Sequence, residues 1–124
     1  MTDVLAIVDR LVVAYNAKDF ATVESLLAPH LDFAHFNRAF AFDNRASAIA
    51  AIRQFADTIA PDRKMEPAER VTAAGTVVVR EAYYSGTAKF AIPDLAPKGP
   101  FRFKFCSVFR FDDAGLIVEW KDYG

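Results

Sequence analysis

The sequence predicts an α+β fold in which a curved antiparallel sheet wraps around N-terminal helices and encloses an apolar pocket. Two observations carry this prediction: apolar residues recur with helical spacing in the first half of the chain, and they alternate with a period of two from about residue 66 onward. Helices followed by an antiparallel meander are typical of a fold with helices on one face of the sheet. The 124 residues suffice for one domain, 1–124, and are too few for two.

Three helices are predicted before the main sheet, over residues 2–18, Phe20–Ala28 and Ala46–Ile59. Thr2 is the expected N-cap of the first helix, and Asn44 that of the third, because both side chains can accept a hydrogen bond from a free first-turn N–H. The second helix is expected to end before Pro29, since proline disfavours helical geometry in the residue that precedes it.

Five strands are predicted from alternation, at Leu31–Phe36, Glu66–Ala73, Thr76–Phe90, Phe101–Phe111 and Leu116–Tyr123. Gly75 and the segment Asp113–Gly115 are suited to tight hairpin connections. The segment Pro93–Pro100 is expected to form a longer loop between two strands. Arg63 and Lys64, after the third helix, are expected on the solvated surface.

The composition excludes several classes of function. Fifteen basic and 16 acidic side chains give a formal net charge of −1 and no basic stripe, so a nucleic-acid partner is not expected. Cys106 is the one cysteine, so neither an internal disulfide nor a zinc-type ligand cluster is predicted. The first ten residues contain no long apolar run, which argues against a signal peptide or membrane contact. The expected location is the cytoplasm, and no metal or cofactor is expected.

The strand Phe101–Phe111 predicts which side chains line the pocket. One of its faces carries Phe101, Phe103, Phe105, Ser107, Phe109 and Phe111, and the other carries mostly basic residues. The phenylalanine face should be covered by helices, with Ser107 as its single polar position. In the last strand, burying Trp120 brings Asp122 to the same face.

The middle strand and the first strand complete the predicted pocket. Of the two alternating sets in the middle strand, the set with Glu81 and Tyr83 is expected to face inward, although alternation alone leaves the opposite choice open. Phe33 and His35 share a face of the first strand. If these faces converge, His35, Glu81 and Asp122 lie in one apolar enclosure, where a carboxyl group should have a raised pKa. Such groups are candidate general acids and bases.

The chain resembles the nuclear-transport-factor-2-like superfamily, and within it the SnoaL-like and limonene-epoxide-hydrolase-like branches. The resemblance is carried by Tyr15-Asn16-Ala17-Lys18-Asp19-Phe20 in the opening helices and by Val108–Phe111 with Gly115–Tyr123 in the closing hairpin. It implies a cone-shaped, cystatin-like roll with an internal pocket. The superfamily hosts cyclases, isomerases, hydrolases and non-catalytic binders, so it implies no single activity.

Carried over residue by residue, the resemblance implies that Asp122 occupies the place of an acid on the final strand that does proton chemistry. His35 falls where the epoxide hydrolases hold the attacking water and where ketosteroid isomerases have their base. The hydrolases also have an Arg and an Asp two apart on the middle strand, at places that correspond in this alignment to Glu81 and Tyr83. The isomerases' oxyanion groups correspond to Leu11 and Ser107. The sequence therefore lacks the complete set of site residues of the epoxide hydrolases and also that of the isomerases.

Two hypotheses follow. The first is a cofactor-independent enzyme for a small apolar molecule, with Asp122, His35 and Glu81 as acid–base groups. Its substrate-binding residues would be Tyr15, Phe33, Tyr83, Phe103, Phe105, Ser107 and Trp120. The alternative is a non-catalytic pocket or dimeric interaction module, in which Asp122 only pairs with the Trp120 indole N–H or an arginine. The outer face of the sheet, expected to mix Arg80, Tyr84, Arg102, Arg110 and Tyr123 with Val78 and Val108, is predicted to support a homodimer.

Overall fold

The fold is an α+β arrangement of three helices against a curved, open sheet. In a computed structural model of the chain, residues 3–36, 40–92 and 97–124 are described, without the side chain of Phe40. The described elements are α1 Val4–Asn16, α2 Phe20–Ser25, β1 Leu27–His35, β2 Phe40–Phe42, α3 Arg45–Gln54, β3 Lys64–Met65, β4 Arg70–Ala74, β5 Val77–Ala88, β6 Gly99–Phe111 and β7 Ile117–Tyr123. A π-helical turn, Phe55–Ile59, extends α3.

The helix boundaries follow capping chemistry. Asn44 caps α3 as predicted, since its Oδ1 accepts from Ser47 N at 2.8 Å. At α1 the cap is Asp3, whose Oδ1 accepts from Ala6 N at 3.1 Å, whereas the predicted cap Thr2 lies outside the described residues. The second helix ends earlier than predicted, at Ser25, because the buried residues that follow it belong to β1.

The strands form one seven-stranded sheet in the order β2-β1-β7-β6-β5-β3, with β4 also paired to β5. All neighbouring strands are antiparallel except β1 and β7, which run parallel, a pair that the sequence did not predict. Pro29 lies where the β1–β7 register shifts, between Leu27 and Asp32. A residue without an N–H is tolerated in such an irregularity. The loop predicted at Pro93–Pro100 falls partly outside the described residues.

The core lies between the concave face of the sheet and the helices. Leu11 and Val8 of α1, Val23 of α2 and Ile49 of α3 are at most 4% exposed. They pack against inward residues of the sheet, including Phe109 and Trp120 at 1% and 2%. The phenylalanine face of β6 and the face of β7 that carries Trp120 are inward, as the alternation predicted.

The inward face of β5 is the opposite of the predicted one. Val78, Arg80, Ala82 and Tyr84 are 0–9% exposed, and they lie opposite the inward residues of β6. Directly opposed residues of an antiparallel pair share a face, so this register settles the choice. Glu81 therefore lies on the outer face, where both of its carboxylate oxygens accept hydrogen bonds from Arg70.

Tyr83 is on the outer face as well, with the Arg102 guanidinium carbon 3.6 Å from its ring centre. The outer face of the sheet is consequently richer in paired charge than expected. Its ion pairs are Arg70–Glu81, Arg102–Glu66, Lys104–Glu69, Arg110–Glu119 and Lys121–Asp32. Arg80, Tyr84 and Val78 were wrongly assigned to this face, because β5 was given the wrong orientation.

The outward position of Glu81 makes a testable prediction about stability. Glu81→Gln should change the free energy of unfolding by less than about 1 kcal/mol, because exposed ion pairs contribute little. Urea unfolding at neutral pH measures this change. Arg70→Gln is the matched control and should give a change of similar size. A loss of several kcal/mol in the glutamate variant alone would contradict the outward placement.

Candidate active site

A cavity of about 250 Å³ lies between the concave face of the sheet and helices α1 and α3. Its walls are mostly aromatic and aliphatic, and several polar or ionisable side chains interrupt this apolar surface. They include Tyr15, His35, Arg80, Tyr84, Ser107 and Asp122. The main apolar lining residues are Phe33, Phe42, Ala48, Ile52, Phe55, Ile59, Met65, Ala82, Ile92, Phe105 and Trp120.

Asp122 is buried near the end of β7, with 7% of its surface exposed. Its Oδ1 accepts a hydrogen bond from Trp120 Nε1 at 3.1 Å, two residues earlier on the same face of the strand. Burial raises the pKa of the Asp122 carboxyl to about 6, while hydrogen bonds from Ser107 and Trp120 and the charge of Arg80 lower it. A carboxyl group with this pKa changes its protonation state close to neutral pH.

His35 lies beside Asp122, at the end of β1. The two residues are directly paired in the parallel β1–β7 register, so their side chains share the inward face. The imidazole is 4% exposed, and its ring centre is 4.6 Å from that of Phe105 in an edge-to-face arrangement. The structure thus brings two of the three predicted acid–base residues to one end of the cavity.

Arg80 adds a buried cation to the cavity wall. It is 7% exposed, lies opposite Ser107 in the β5–β6 register, and donates from Nη2 to the main-chain oxygen of Glu66. Burial lowers the pKa of its guanidinium, whereas the charges of Asp9 and Asp122 raise it. The sequence analysis placed Arg80 on the outer face of the sheet, and only the register of β5 with β6 shows that it faces inward.

Two tyrosines form the other polar part of the cavity. Tyr15 of α1 and Tyr84 of β5 are 6% and 9% exposed, and their hydroxyl oxygens are 2.8 Å apart. The sequence predicted Tyr15 as a pocket residue and missed Tyr84. Arg63, predicted on the surface, is 2% exposed and lies behind Tyr15, with its guanidinium carbon 4.4 Å from the ring centre.

The predicted binding residues divide into three groups. Tyr15, Phe33, Phe105, Ser107 and Trp120 line the cavity. Phe103 lies on the inward face but stacks between Phe101 and Phe105, with ring centres 5.6 and 6.2 Å away. Tyr83 borders the cavity, although its ring packs under Arg102 on the outer face.

Glu81 is separated from the other predicted acid–base residues. It lies on the outer face of β5, so the expectation that it joins His35 and Asp122 was wrong.

The described residues offer no ready metal site. Within residues 3–36, 40–92 and 97–124, no group of three or more His, Cys, Asp or Glu side chains is arranged to hold a metal ion. No helix in the same ranges is long and apolar enough to cross a membrane.

The fold is that of the nuclear-transport-factor-2-like class. The sequence pattern of the SnoaL-like domain matches residues 8–120, and the chain belongs to that family. Among curated proteins, no significant match to this sequence is found.

Solved structures support the fold. An LEH-like epoxide hydrolase from M. tuberculosis is 23% identical, with a TM-score of 0.74, over 97% of this chain and 80% of that one. A proposed polyketide cyclase from Xanthomonas campestris is 20% identical, with a TM-score of 0.82, over 98% and 89%. A nuclear-transport-factor-2-like protein from Burkholderia pseudomallei is 21% identical, with a TM-score of 0.78, over 98% and 90%. At these identities the similarity establishes the fold alone.

The raised pKa of Asp122 predicts how stability depends on pH. The native state binds more protons than the unfolded state between the ordinary aspartate pKa of 3.8 and about 6, so stability is lost as pH rises through that window. Asp122→Asn removes this loss and keeps an acceptor for the Trp120 N–H. At pH 8 the variant should be more stable than the native chain by up to about 3 kcal/mol. The difference should vanish near pH 4.

Chemical denaturation at several pH values measures this difference. His35, Arg80, Tyr15 and Tyr84 line the same cavity as Asp122 and are present in both proteins. Asp32→Asn is the control, since that carboxylate is 54% exposed and paired with Lys121 on the outer face. A variant less stable than the native chain by a constant amount at every pH would show that Asp122 is not buried in this way.

Proposed function

We propose that this protein is a cofactor-independent SnoaL-like enzyme that performs general acid–base chemistry on a small, largely apolar molecule. The observation that carries the proposal is the Asp122 carboxyl, buried in an aromatic cavity beside His35 with its pKa raised to about 6. Efficient acid–base catalysts have pKa values close to the working pH, where both protonation states are accessible.

Asp122 is the proposed proton-transfer group. Above about pH 6 its carboxylate accepts a proton from the substrate, and the resulting carboxylic acid returns that proton to the substrate at another atom or at a later step. The enzyme therefore ends each cycle in its starting state. The hydrogen bond from Trp120 to Oδ1 orients the carboxyl group for this proton transfer.

His35 and Arg80 are the proposed supporting groups. An imidazole has one nitrogen that donates and one that accepts a hydrogen bond when it is neutral, so beside Asp122 it can share the transferred proton or hold a water molecule. The guanidinium of Arg80 faces the same cavity and favours negative charge near Asp122. Asp122 is the one carboxyl group among the described residues that line the cavity, so the site suits isomerisation or cyclisation, which need one base, better than epoxide opening, which also needs a group to activate water.

Substitution of the two acid–base residues tests the proposal. Two probes are suitable: exchange of the acidic C–H protons of 2-tetralone in D2O, followed by NMR, and hydrolysis of styrene oxide. We expect the native protein to accelerate one of these reactions. Asp122→Asn and His35→Ala should each lower that rate by about 100-fold or more, the contribution typical of general acid–base catalysis.

The pH profile and a control variant sharpen the test. If Asp122 acts as the base, kcat/KM for proton exchange should rise with pH and level off above about 6. Asp32→Asn makes the same chemical change on the outer face and should leave the rate unaltered. Native rates in both cavity variants would refute the acid–base assignment.

The second candidate function is non-catalytic binding of a hydrophobic ligand. The Trp120–Asp122 hydrogen bond favours it, because this contact alone gives the carboxylate a structural role. A protein of this kind would bind 2-tetralone and release it unexchanged, in the native chain and in both variants.

We also propose a homodimer formed through the outer face of the sheet. Val79 and Val108 are paired across β5 and β6 near the middle of that face and are half-buried, with ion pairs around them. Size-exclusion chromatography with light scattering at tens of micromolar protein should give twice the chain mass of 13.8 kDa. Particles of the single-chain mass would remove the proposal. Val108→Glu, which places a charge among these valines, should shift the mass toward the monomer.

A further inference from the structure

Four polar side chains form a row across the concave face of the sheet. Arg80 of β5 is directly paired with Ser107 of β6, and Ser107 is paired with Asp122 of β7. Asp122 is in turn paired with His35 of β1. Directly paired residues share a face, so this polar row crosses four neighbouring strands, and all four of its side chains line the cavity.

The rows on both sides of the polar row are aromatic or aliphatic. On one side, the same four strands contribute a row of directly paired residues, which are Val78, Phe109, Trp120 and Phe33. On the other side, Ala82 lies opposite Phe105. These described neighbours offer the polar row one polar side-chain atom, the indole nitrogen of Trp120. The members of the row therefore depend on one another for hydrogen bonds.

The type of pairing brings the side chains of Ser107 and Asp122 close together. The main-chain oxygen of Asp122 accepts from Phe36 N at 3.1 Å, so the main chain of Asp122 is turned toward β1 and away from β6. Ser107 and Asp122 are thus a non-hydrogen-bonded pair of the antiparallel ladder, the type in which opposed side chains are closest. The Ser107 hydroxyl forms a hydrogen bond with the Asp122 carboxyl group.

The neighbours of Ser107 determine which group donates in this hydrogen bond. Arg80, on one side, has donors only, whereas an ionised Asp122, on the other side, has acceptors only. A serine hydroxyl has one hydrogen atom to donate, and of these two neighbours only the carboxylate can accept it. Ser107 therefore supplies Asp122 with a second donor besides the Trp120 N–H, which reaches Oδ1 at 3.1 Å.

Donors that point at a carboxylate favour its ionised form. Burial raises the pKa of Asp122 to about 6, and the hydrogen bonds from Ser107 and Trp120 together with the charge of Arg80 oppose this rise. Of these three residues, Ser107 is the smallest, and its replacement changes neither the charge of the site nor its large aromatic wall.

We propose that Ser107 is a positioning residue of the site, whose hydroxyl donates to Asp122 and keeps that carboxyl group in the ionised form that accepts a proton. The same hydrogen bond holds the carboxyl group in line with Arg80 and His35 in the polar row. The inference rests on the proposed function, in which Asp122 is the proton-transfer group. Ser107 exchanges no proton with the substrate and acts only through Asp122.

The titration of Asp122 tests this inference without any substrate. NMR of carbon-13-labelled protein follows the Asp122 carboxyl carbon, and Asp122→Asn identifies its signal. Ser107→Val and Ser107→Ala should each raise the midpoint by about one pH unit above the native value of about 6, because a hydrogen bond to a charged group is lost. Ser107→Thr, which has the shape of valine but keeps a hydroxyl, should titrate near the native midpoint.

The other ionisable side chains that line the cavity are the same in all these variants. They are Arg80, Tyr83 and Tyr84 of β5, Tyr15 of α1 and His35 of β1, and the described lining residues of α3 include none. Burial raises the pKa of Tyr15 and Tyr84, so both hydroxyls stay neutral while Asp122 titrates. The ring signals of His35 are followed in the same spectra and keep its titration distinct from that of Asp122.

The pH profile of the exchange reaction connects this titration with catalysis. In Ser107→Val, kcat/KM should reach half of its plateau about one pH unit higher than in the native chain, which is a loss of about tenfold at pH 5 and little loss at pH 9. Poor packing would instead lower the rate at every pH and leave the midpoint unchanged. Ser85→Ala removes a half-buried hydroxyl from the outer face of β5 and is the control, with a native profile expected.

The outcomes separate this inference from the proposed function, and circular dichroism verifies that each variant is folded. An unchanged Asp122 midpoint in both Ser107→Val and Ser107→Ala overturns the role of Ser107, even if exchange still depends on Asp122. An equal rise in Ser107→Val and Ser107→Thr also overturns it, because added bulk then accounts for the change. A rise that the threonine variant reverses, in a protein that catalyses no exchange, supports the Ser107–Asp122 hydrogen bond and refutes the acid–base function.

Discussion

The pairing of β5 with β6 is the constraint on which the candidate site depends. These strands are in register from Val77 opposite Arg110 to Ala88 opposite Gly99. Since opposed residues share a face, the aromatic side chains of β6 determine which half of β5 looks into the cavity. Ala82 lies opposite Phe105, so a methyl group faces a ring and space remains between them. A slip of one residue would turn Arg80 and Tyr84 to the outside and bring Glu81 in, and the cavity would lose its cation and its tyrosine pair.

Contrast between the two faces of a strand explains which parts of this arrangement the sequence could predict. In β6, phenylalanine alternates with Arg102, Lys104 and Arg110, and in β7 Trp120 alternates with charged residues, so the inward faces of both strands were predicted correctly. In β5 each face carries valine, tyrosine and one charged residue. Only the register with β6 distinguishes the two faces of β5, and the long connection between these strands does not fix that register.

The parallel β1–β7 pair was missed for a related reason, because its partners are some ninety residues apart. The buried arginines were missed because arginine is ordinarily a surface residue.

Positive charge in and behind the cavity wall exceeds negative charge among the described residues. Arg80 and Arg63 each donate to a main-chain oxygen, of Glu66 and Tyr15 respectively, so neither contact neutralises the positive charge. Arg80 lines the cavity, whereas Arg63 lies behind Tyr15. Asp122 is the one carboxyl group among the described lining residues, and its ionisation is opposed by burial and favoured by Arg80. The protonation state of Asp122 therefore depends on the balance between burial and this cation.

The cost of burying Asp122 bears on the choice between catalysis and simple binding. A structural partner for the Trp120 N–H needs only an acceptor oxygen, which an asparagine would supply without an ionisable group. The carboxyl instead opposes folding when it ionises above about pH 6, because burial raises its pKa to that value. Full exposure would make it a weaker base, and deeper burial without Trp120, Ser107 and Arg80 would keep it protonated at neutral pH. Its surroundings hold it between these limits, where a carboxylate can take up a proton and give it back, and this property supports the proposed acid–base function over simple binding.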